Sequence, residues 1–192
     1  TKRRRTMVTQ LTRNIDRACK DLNGGIQTIY LLPYIKYSRS QMTIENQKLV
    51  AFPGSNIYKV YANGSSFTET SETEGGAVSF SQSFNVDVPK TEEANQVYTL
   101  VKQKYRAIYK DFNGNWRMLG LFNGLDATYT NSTGTEMGDF SGYKVTFEGK
   151  EDRQAIYMNG ITEGMTPTEV ENFIFQGGAN YNFQGGNNYI LN

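Results

Sequence analysis

Between Val78 and Val88 apolar and polar side chains alternate, with Gln82 the one polar residue in an apolar place. Val78, Phe80, Gln82, Phe84 and Val86 fall on one side, and Ser79, Ser81, Ser83, Asn85 and Asp87 on the other. A repeat of two sets successive side chains on opposite faces, so the segment predicts a strand with one buried face. The pattern recurs along the chain. IQTIYLLPYIKY (26–37) predicts a long strand, and Pro33 marks an edge, bulge or break in it because proline has no N–H to give. QMTIEN and KLVAF predict short strands before a turn at Pro53-Gly54. IYKVYANG alternates and ends in Asn63-Gly64, a pair favoured in two-residue hairpin turns. YRAIYKDF, NWRMLGLF and LDATYTNS, separated by Asn113-Gly114 and Asn123-Gly124, predict a meander. GYKVTFEGKE and RQAIYM predict the last two core strands. The polar, acidic stretch SFTETSETEGG predicts a loop or hairpin tip, and Thr133 to Asp139 a second loop.

One segment changes period. After Pro89, TEEANQVYTLVKQKY places Ala94, Val97, Tyr98, Val101 and Tyr105 on one helical face, which predicts a helix over about 91–105. Thr91 is its N-cap, and Glu92 and Glu93 sit where the helix dipole favours negative charge. The expectation is about ten short strands and one helix, a mainly β chain that forms a sandwich or rolled barrel with a flanking helix. The β domain is expected over 26–158. It stands between a basic N-terminal arm (1–25) and a C-terminal arm (159–192). In the first arm Arg13, Arg17 and Lys20 fall at helical spacing before Gly24-Gly25. The second holds a weak helix start at TPTEVENF and repeats FQGG at 175–178 and 183–186, too few copies for a solenoid.

Composition narrows the function. Among 192 residues there are 13 Tyr and 11 Phe, large amphipathic or apolar rings suited to interfaces that are dry on one side and wet on the other. The formal net charge of +1 argues against a globally basic nucleic-acid binder. Histidine is absent, so the commonest general base and zinc ligand are missing. The lone cysteine, Cys19, has no intrachain partner. No apolar run is long enough to span a bilayer or to serve as a signal peptide, which predicts a chain that starts in a cytoplasm, with no membrane partner. Thr1 is the residue expected after removal of an initiator Met before a small side chain. Asp111, Asp126, Asp139 and Glu148 lie near predicted turns, but no recognised motif pairs them, and neither G-x-S-x-G, P-loop nor EF-hand spacing occurs. The reading is a protein that is not an enzyme, with no catalytic residue, metal or cofactor.

Binding candidates cluster elsewhere. The basic residues Lys2, Arg3, Arg4 and Arg5, with Arg13 and Arg17, suit an acidic face of a partner subunit, with nucleic acid as the alternative. Phe175, Tyr181, Phe183 and Tyr189 can anchor the tail in pockets of a neighbour, while the glycines between them let the backbone lie close. Both ends are therefore expected to be held by neighbouring chains. Glu69, Glu72 and Glu74 would line a bore or dock on a next ring, and a negative bore lets DNA slide without sticking. The many tyrosines and Trp116 also allow a β-sandwich that binds a glycan, although Trp116, after an Asn-Gly turn in an alternating strand, points to core packing.

Several stretches carry a resemblance. NGGIQTIYLLPYIKY resembles an early strand of structural proteins from phages of Bacteroides-type hosts. YRAIYKDFNGNWRMLGLFNGLDATYTNSTGTEMGDFSGYKVTFEGKEDRQAIYM resembles the second half of bacteriophage tail-tube proteins. The matching elements are Gly120-Leu121-Phe122-Asn123-Gly124, the Thr133-Gly134 loop, and Asp139-Phe140-Ser141-Gly142-Tyr143 through Glu151. Together they cover roughly half of the chain and are moderately specific. The resemblance points to crass-like phages of the gut, whose short tails admit a head–tail connector ring as readily as a stacked tube. The resemblance implies a tail-tube-like fold and identical subunits in a ring of about six or twelve copies. It also implies other tail, portal or connector rings as partners. Non-specific genomic DNA would pass through the lumen of a virion assembled in the host cytoplasm.

Overall fold

The computed structural model describes residues 23–91, 96–161 and 165–167. The first strands are β1 (Ile26–Pro33), β2 (Thr43–Glu45), β3 (Lys48–Ala51), β4 (Ser55–Val60), β5 (Gly64–Glu74) and β6 (Ala77–Pro89). A short helix, α1 (Val97–Leu100), precedes β7 (Tyr105–Asp111), β8 (Trp116–Leu119), β9 (Asp126–Ser132), β10 (Gly142–Glu151), β11 (Ile156–Met158) and β12 (Met165–Pro167). They form an eight-stranded sheet in the order β12-β4-β1-β7-β8-β11-β3-β2 and a four-stranded sheet in the order β5-β6-β10-β9. The chain is mainly β and sandwich-like. Neither sheet closes into a barrel, so of the two expected architectures the sandwich holds.

The core between the sheets follows from period-2 patterning. β1 sends in Ile29 and Leu31, β6 Phe84 and Val86, β7 Tyr105, Ala107 and Tyr109, and β10 Tyr143, Val145 and Phe147. The opposite face of the large sheet is also apolar. Leu32, Ile57, Ile108, Met118, Ile156, Met158 and Met165 form a second cluster with Leu49 and Phe52. β7 contributes to both, which is why Tyr105 to Tyr109 are buried at five consecutive positions rather than alternately. Burying one such side chain is worth about 1.5–3 kcal/mol, so two clusters on one sheet give its central strands most of their stability. Trp116 is half-buried in the second cluster and stacks on Tyr30 with ring centroids 6.3 Å apart.

Several turns differ from their sequence expectation. Asn63-Gly64 is not a hairpin. Asn63 N–H already donates to Asp87 O (2.8 Å), and neither residue has the positive φ that a two-residue turn requires. The pair carries the chain from β4 in one sheet to β5 in the other. Of the two expectations for SFTETSETEGG, loop or hairpin tip, the second holds at its end: the stretch is mostly strand β5, because eleven residues pair in register with the strongly alternating β6, and it closes at the tip of the β5–β6 hairpin. Only its end is a turn, with Gly75 at φ +57 and Gly76 at φ +80. Asn123-Gly124 likewise joins β8 to β9 across the sheets instead of closing a meander. Asn113-Gly114 does close a hairpin, between β7 and β8, with Gly114 at φ +84.

The helix is shorter at its C-terminal end than its periodicity suggests. Among the described residues it runs Val97–Leu100, and Tyr105 opens β7. Val97 packs into the core and Leu100 against it, whereas Tyr98 and Val101 are 52% and 47% exposed, so two side chains rather than the full expected stripe hold the turn. The first strand stops at Pro33, where Tyr34 N–H turns to Lys104 O (2.9 Å). Residues 165–167, expected in a terminal arm and at a helix start, form β12 parallel to β4, and Met165 is buried in the second cluster.

Candidate functional site

The four-stranded sheet presents an outer face of mostly exposed or half-exposed side chains, an edge at β5, and an edge at β9 with α1 packed beside it. Cross-strand pairs share a face, so the registers place Glu72, Ser81 and Lys150 together on the side away from the core. β5 adds Ser66, Thr68 and Thr70 to that side, β6 Ser79 and Ser83, β9 Thr128 and Thr130, and β10 Thr146. The carboxylates Glu72, Glu74, Asp87, Asp126 and Glu148 outnumber Lys144 and Lys150 there. The result is a hydroxylated face of net negative charge.

The acidic residues picked out on β5 divide between the two sides of the strand. Glu72 accepts from Lys150 Nζ (2.7 Å) and Ser81 Oγ (3.2 Å), and the lysine hydrogen bond holds its carboxyl below the usual range. Glu74 lies exposed beside the Gly75-Gly76 turn. Glu69 instead faces the core side, where it accepts from Gln82 Nε2 (3.0 Å) and from Ala155 N–H (2.6 Å). It belongs to the joint between the sheets, not to an outer face.

That joint is built from inward polar side chains of the small sheet. Gln82 Oε1 accepts from Gly120 N–H (3.0 Å), and Glu151 accepts from the N–H groups of Phe122 (3.1 Å) and Asn123 (2.7 Å). Arg106 reaches the same loop from β7, donating to Leu121 O (3.0 Å) and to Ile35 O (2.9 Å). Tyr34 donates its hydroxyl to Phe122 O. The remaining guanidinium nitrogen of Arg106, Nη1, has no hydrogen-bond acceptor among the described residues. The guanidinium lies 4.4 Å from the Tyr34 ring and 5.3 Å from both Tyr37 and Phe52, whose π faces stabilise the cation. Burial raises the Glu151 carboxyl despite its N–H donors and lowers the Arg106 guanidinium. The Gly120–Gly124 stretch quoted for the resemblance is therefore a clamped crossing between the sheets. Arg106 and Glu151 had not stood out in the sequence, where the one signal was a charge inside an otherwise buried run.

The acids weighed for catalysis are dispersed. Asp111 is opposed by burial, yet Asn115 and Asn113 donate to it and hold it low, so the carboxylate is engaged in its own turn. Asp139 accepts from the N–H groups of Thr135 (2.8 Å) and Glu136 (3.0 Å), which lower it. Asp126 pairs with Lys104 (2.6 Å), and Glu148 points outward from β10. Among the described residues no group of His, Cys, Asp or Glu is placed to hold a metal ion, and no helix is long and apolar enough to cross a membrane. Lys2, Arg3, Arg4, Arg5, Arg13, Arg17, Cys19, Phe175, Tyr181, Phe183 and Tyr189 lie outside the described residues.

The edges of the small sheet are β5 and β9. Both are regular along their whole paired length, with no register shift, and neither contains proline or lysine. Isolated domains often blunt such edges with those devices, because an open ladder of N–H and C=O groups recruits another strand; of the remaining devices β5 carries the inward charge of Glu69. The exposed tyrosines also sort by edge. Tyr58 and Tyr61 lie on the β4–β5 side, and Tyr98 and Tyr129 on the α1–β9 side.

The architecture is thus a two-sheet β-sandwich with an open-edged smaller sheet. No known family, curated protein or solved structure matches this chain.

Proposed function

We propose that this chain is a non-catalytic structural subunit that assembles with copies of itself into a ring or tube around a DNA-conducting channel, in a phage tail or head–tail connector. The observation that carries the reading is the pair of regular edges on the four-stranded sheet, without proline, lysine or register shift. Its strands alternate in direction from β5 to β9, so β9 of one copy meets β5 of the next antiparallel in a head-to-tail ring. Such a contact is heterologous and closes at a fixed rotation, which removes every open edge of that sheet. The joined sheets then present one continuous outer face. Its hydroxyls and surplus of carboxylates suit a channel wall, because like charge keeps the DNA backbone from adhering. The resemblance of the 105–158 region to tail-tube proteins supports the same reading. The separation of the exposed tyrosines into two sets favours assembly over a single aromatic platform for a glycan.

Electron microscopy and sedimentation velocity of the purified full chain test this. Closed rings or stacks with an open pore are expected. Particles that stay monomeric at all concentrations, alone and with candidate connector rings, would overturn it.

A further inference from the structure

The small sheet leaves part of the large one uncovered. β5 packs over β1, and β4 is the next strand outward from β1. Tyr58 pairs with Leu31, whose side chain lies in the inter-sheet core, so Tyr58 is on the core-side face of β4. It is nevertheless 43% exposed, and Tyr61, just past the strand, is 75% exposed. The core-side face of β4 is a ledge that projects beyond the β5 edge. At the opposite side of the sandwich α1 packs beside β9. There Tyr98 and Val101 turn away from the core, and Tyr129 of β9 stands edge-on to Tyr143 with its ring partly open to solvent.

We infer that α1 and β9 of one copy cover the β4 ledge of the next, setting Tyr98, Val101 and Tyr129 against Tyr58 and Tyr61. This rests on the ring reading above. When β9 pairs with a neighbour's β5, whatever lies behind β9 is carried over whatever lies behind that β5, and in the neighbour this is the ledge. A second copy is the occupant because both surfaces are open only as far as the strand edge beside them is open, and a single strand junction satisfies both. Edge pairing alone is a thin contact. A stable interface takes about 800 Å² per partner, and the ledge supplies a side-chain layer under the backbone ladder. Tyrosine fits a surface that is wet in the free subunit and dry in the assembly.

The test is sedimentation velocity on the full chain carrying Tyr58→Asp or Val101→Asp, with Ile35→Asp, an exposed position off the ledge, as control. Each ledge variant is expected to raise the concentration needed for assembly at least about tenfold, the effect of losing an apolar contact at a junction. Thermal unfolding of the dissociated subunit should not move, since both side chains are exposed. Ledge variants that assemble like the unsubstituted chain would overturn this inference and leave the ring reading standing. An equal loss in Ile35→Asp would overturn it as well. An unsubstituted chain that never assembles would overturn both.

Discussion

Arg106 and Glu151 hold opposite ends of one peptide group. Arg106 Nε donates to Leu121 O at 3.0 Å, and Glu151 accepts from the adjoining Phe122 N–H at 3.1 Å. The two side chains are 1% and 2% exposed, and the ion pairs among the described residues are Arg39–Asp152, Lys104–Asp126 and Lys150–Glu72. Without forming an ion pair, the opposite charges attract one another and also act through the peptide dipole between them, which points its carbonyl at the cation and its N–H at the anion. Burying either charge alone would be costly, but together with that dipole and the surrounding rings they fix the crossing from β8 to β9.

Arg106→Met should lower unfolding free energy by about 3 kcal/mol, the cost of leaving a buried carboxylate and two carbonyls without their cation. Chemical denaturation of the isolated subunit measures it. A loss no larger than that of a surface substitution would show that the aromatic cage, not the charge, supports the loop.

Glu151 sets a pH dependence of unusual sign. Burial raises its folded carboxyl above the ordinary 4.5, so the folded state takes up this proton more readily than the unfolded chain. Its contribution is then least favourable above the folded value, improves as pH falls through it, and levels off below the unfolded value. The stability of the parent relative to Glu151→Gln should rise as pH is lowered from neutral through the folded value toward the ordinary 4.5. Glu72, held low by Lys150, acts in the opposite sense, since its stabilisation is lost as pH falls through its folded value. A flat difference between parent and Glu151→Gln across that range would refute the assignment.

Gly120→Ala should destabilise by about 2 kcal/mol or more, through a strained backbone and a clash together. Gly120 has φ +64, and an added Cβ would come within 2.8 Å of Leu125 Cγ and 3.1 Å of the Gly124 carbonyl carbon. Gly76→Ala, at φ +80 with open space around it, carries the strain without the clash and should cost about 1 kcal/mol. Thermal melts of both variants separate the two effects.

Gln82→Leu should cost about 1–3 kcal/mol, because it leaves the Gly120 N–H buried without its acceptor and removes a donor from Glu69. Ser83→Ala, one residue along and on the outer face, should fall within about 0.5 kcal/mol of the parent. Equal effects would mean that the joint between the sheets does not depend on Gln82.

Ser71→Lys adds a second charge, beside Glu69, to the core-side face of the edge strand β5, strengthening a device that natural sheets use to refuse a neighbour. The subunit should fold as before and assemble poorly, as read by sedimentation velocity. Assembly unchanged by this substitution would place the contact elsewhere.

The sequence by itself determined the local periods. Alternation at Ala77–Pro89 and Gly142–Glu151 made those strands legible, and with them the mainly β class, because side-chain direction in a strand depends only on parity. It also marked Gln82 as facing inward with Phe84 and Val86, which the structure shows. Tertiary structure decided which strands pair. Asn63-Gly64 and Asn123-Gly124 have turn chemistry, but whether a turn closes a hairpin or crosses between sheets depends on where the next strand finds its ladder. β5 carries little apolar character beyond Phe67 and is a strand because β6 templates it along eleven residues. The helical period before Tyr105 yielded to β7, whose side chains fill both cores at once. The clamp of Arg106 and Glu151 was equally out of reach, since forty-five positions separate two charges that meet only where a single peptide group lies between them.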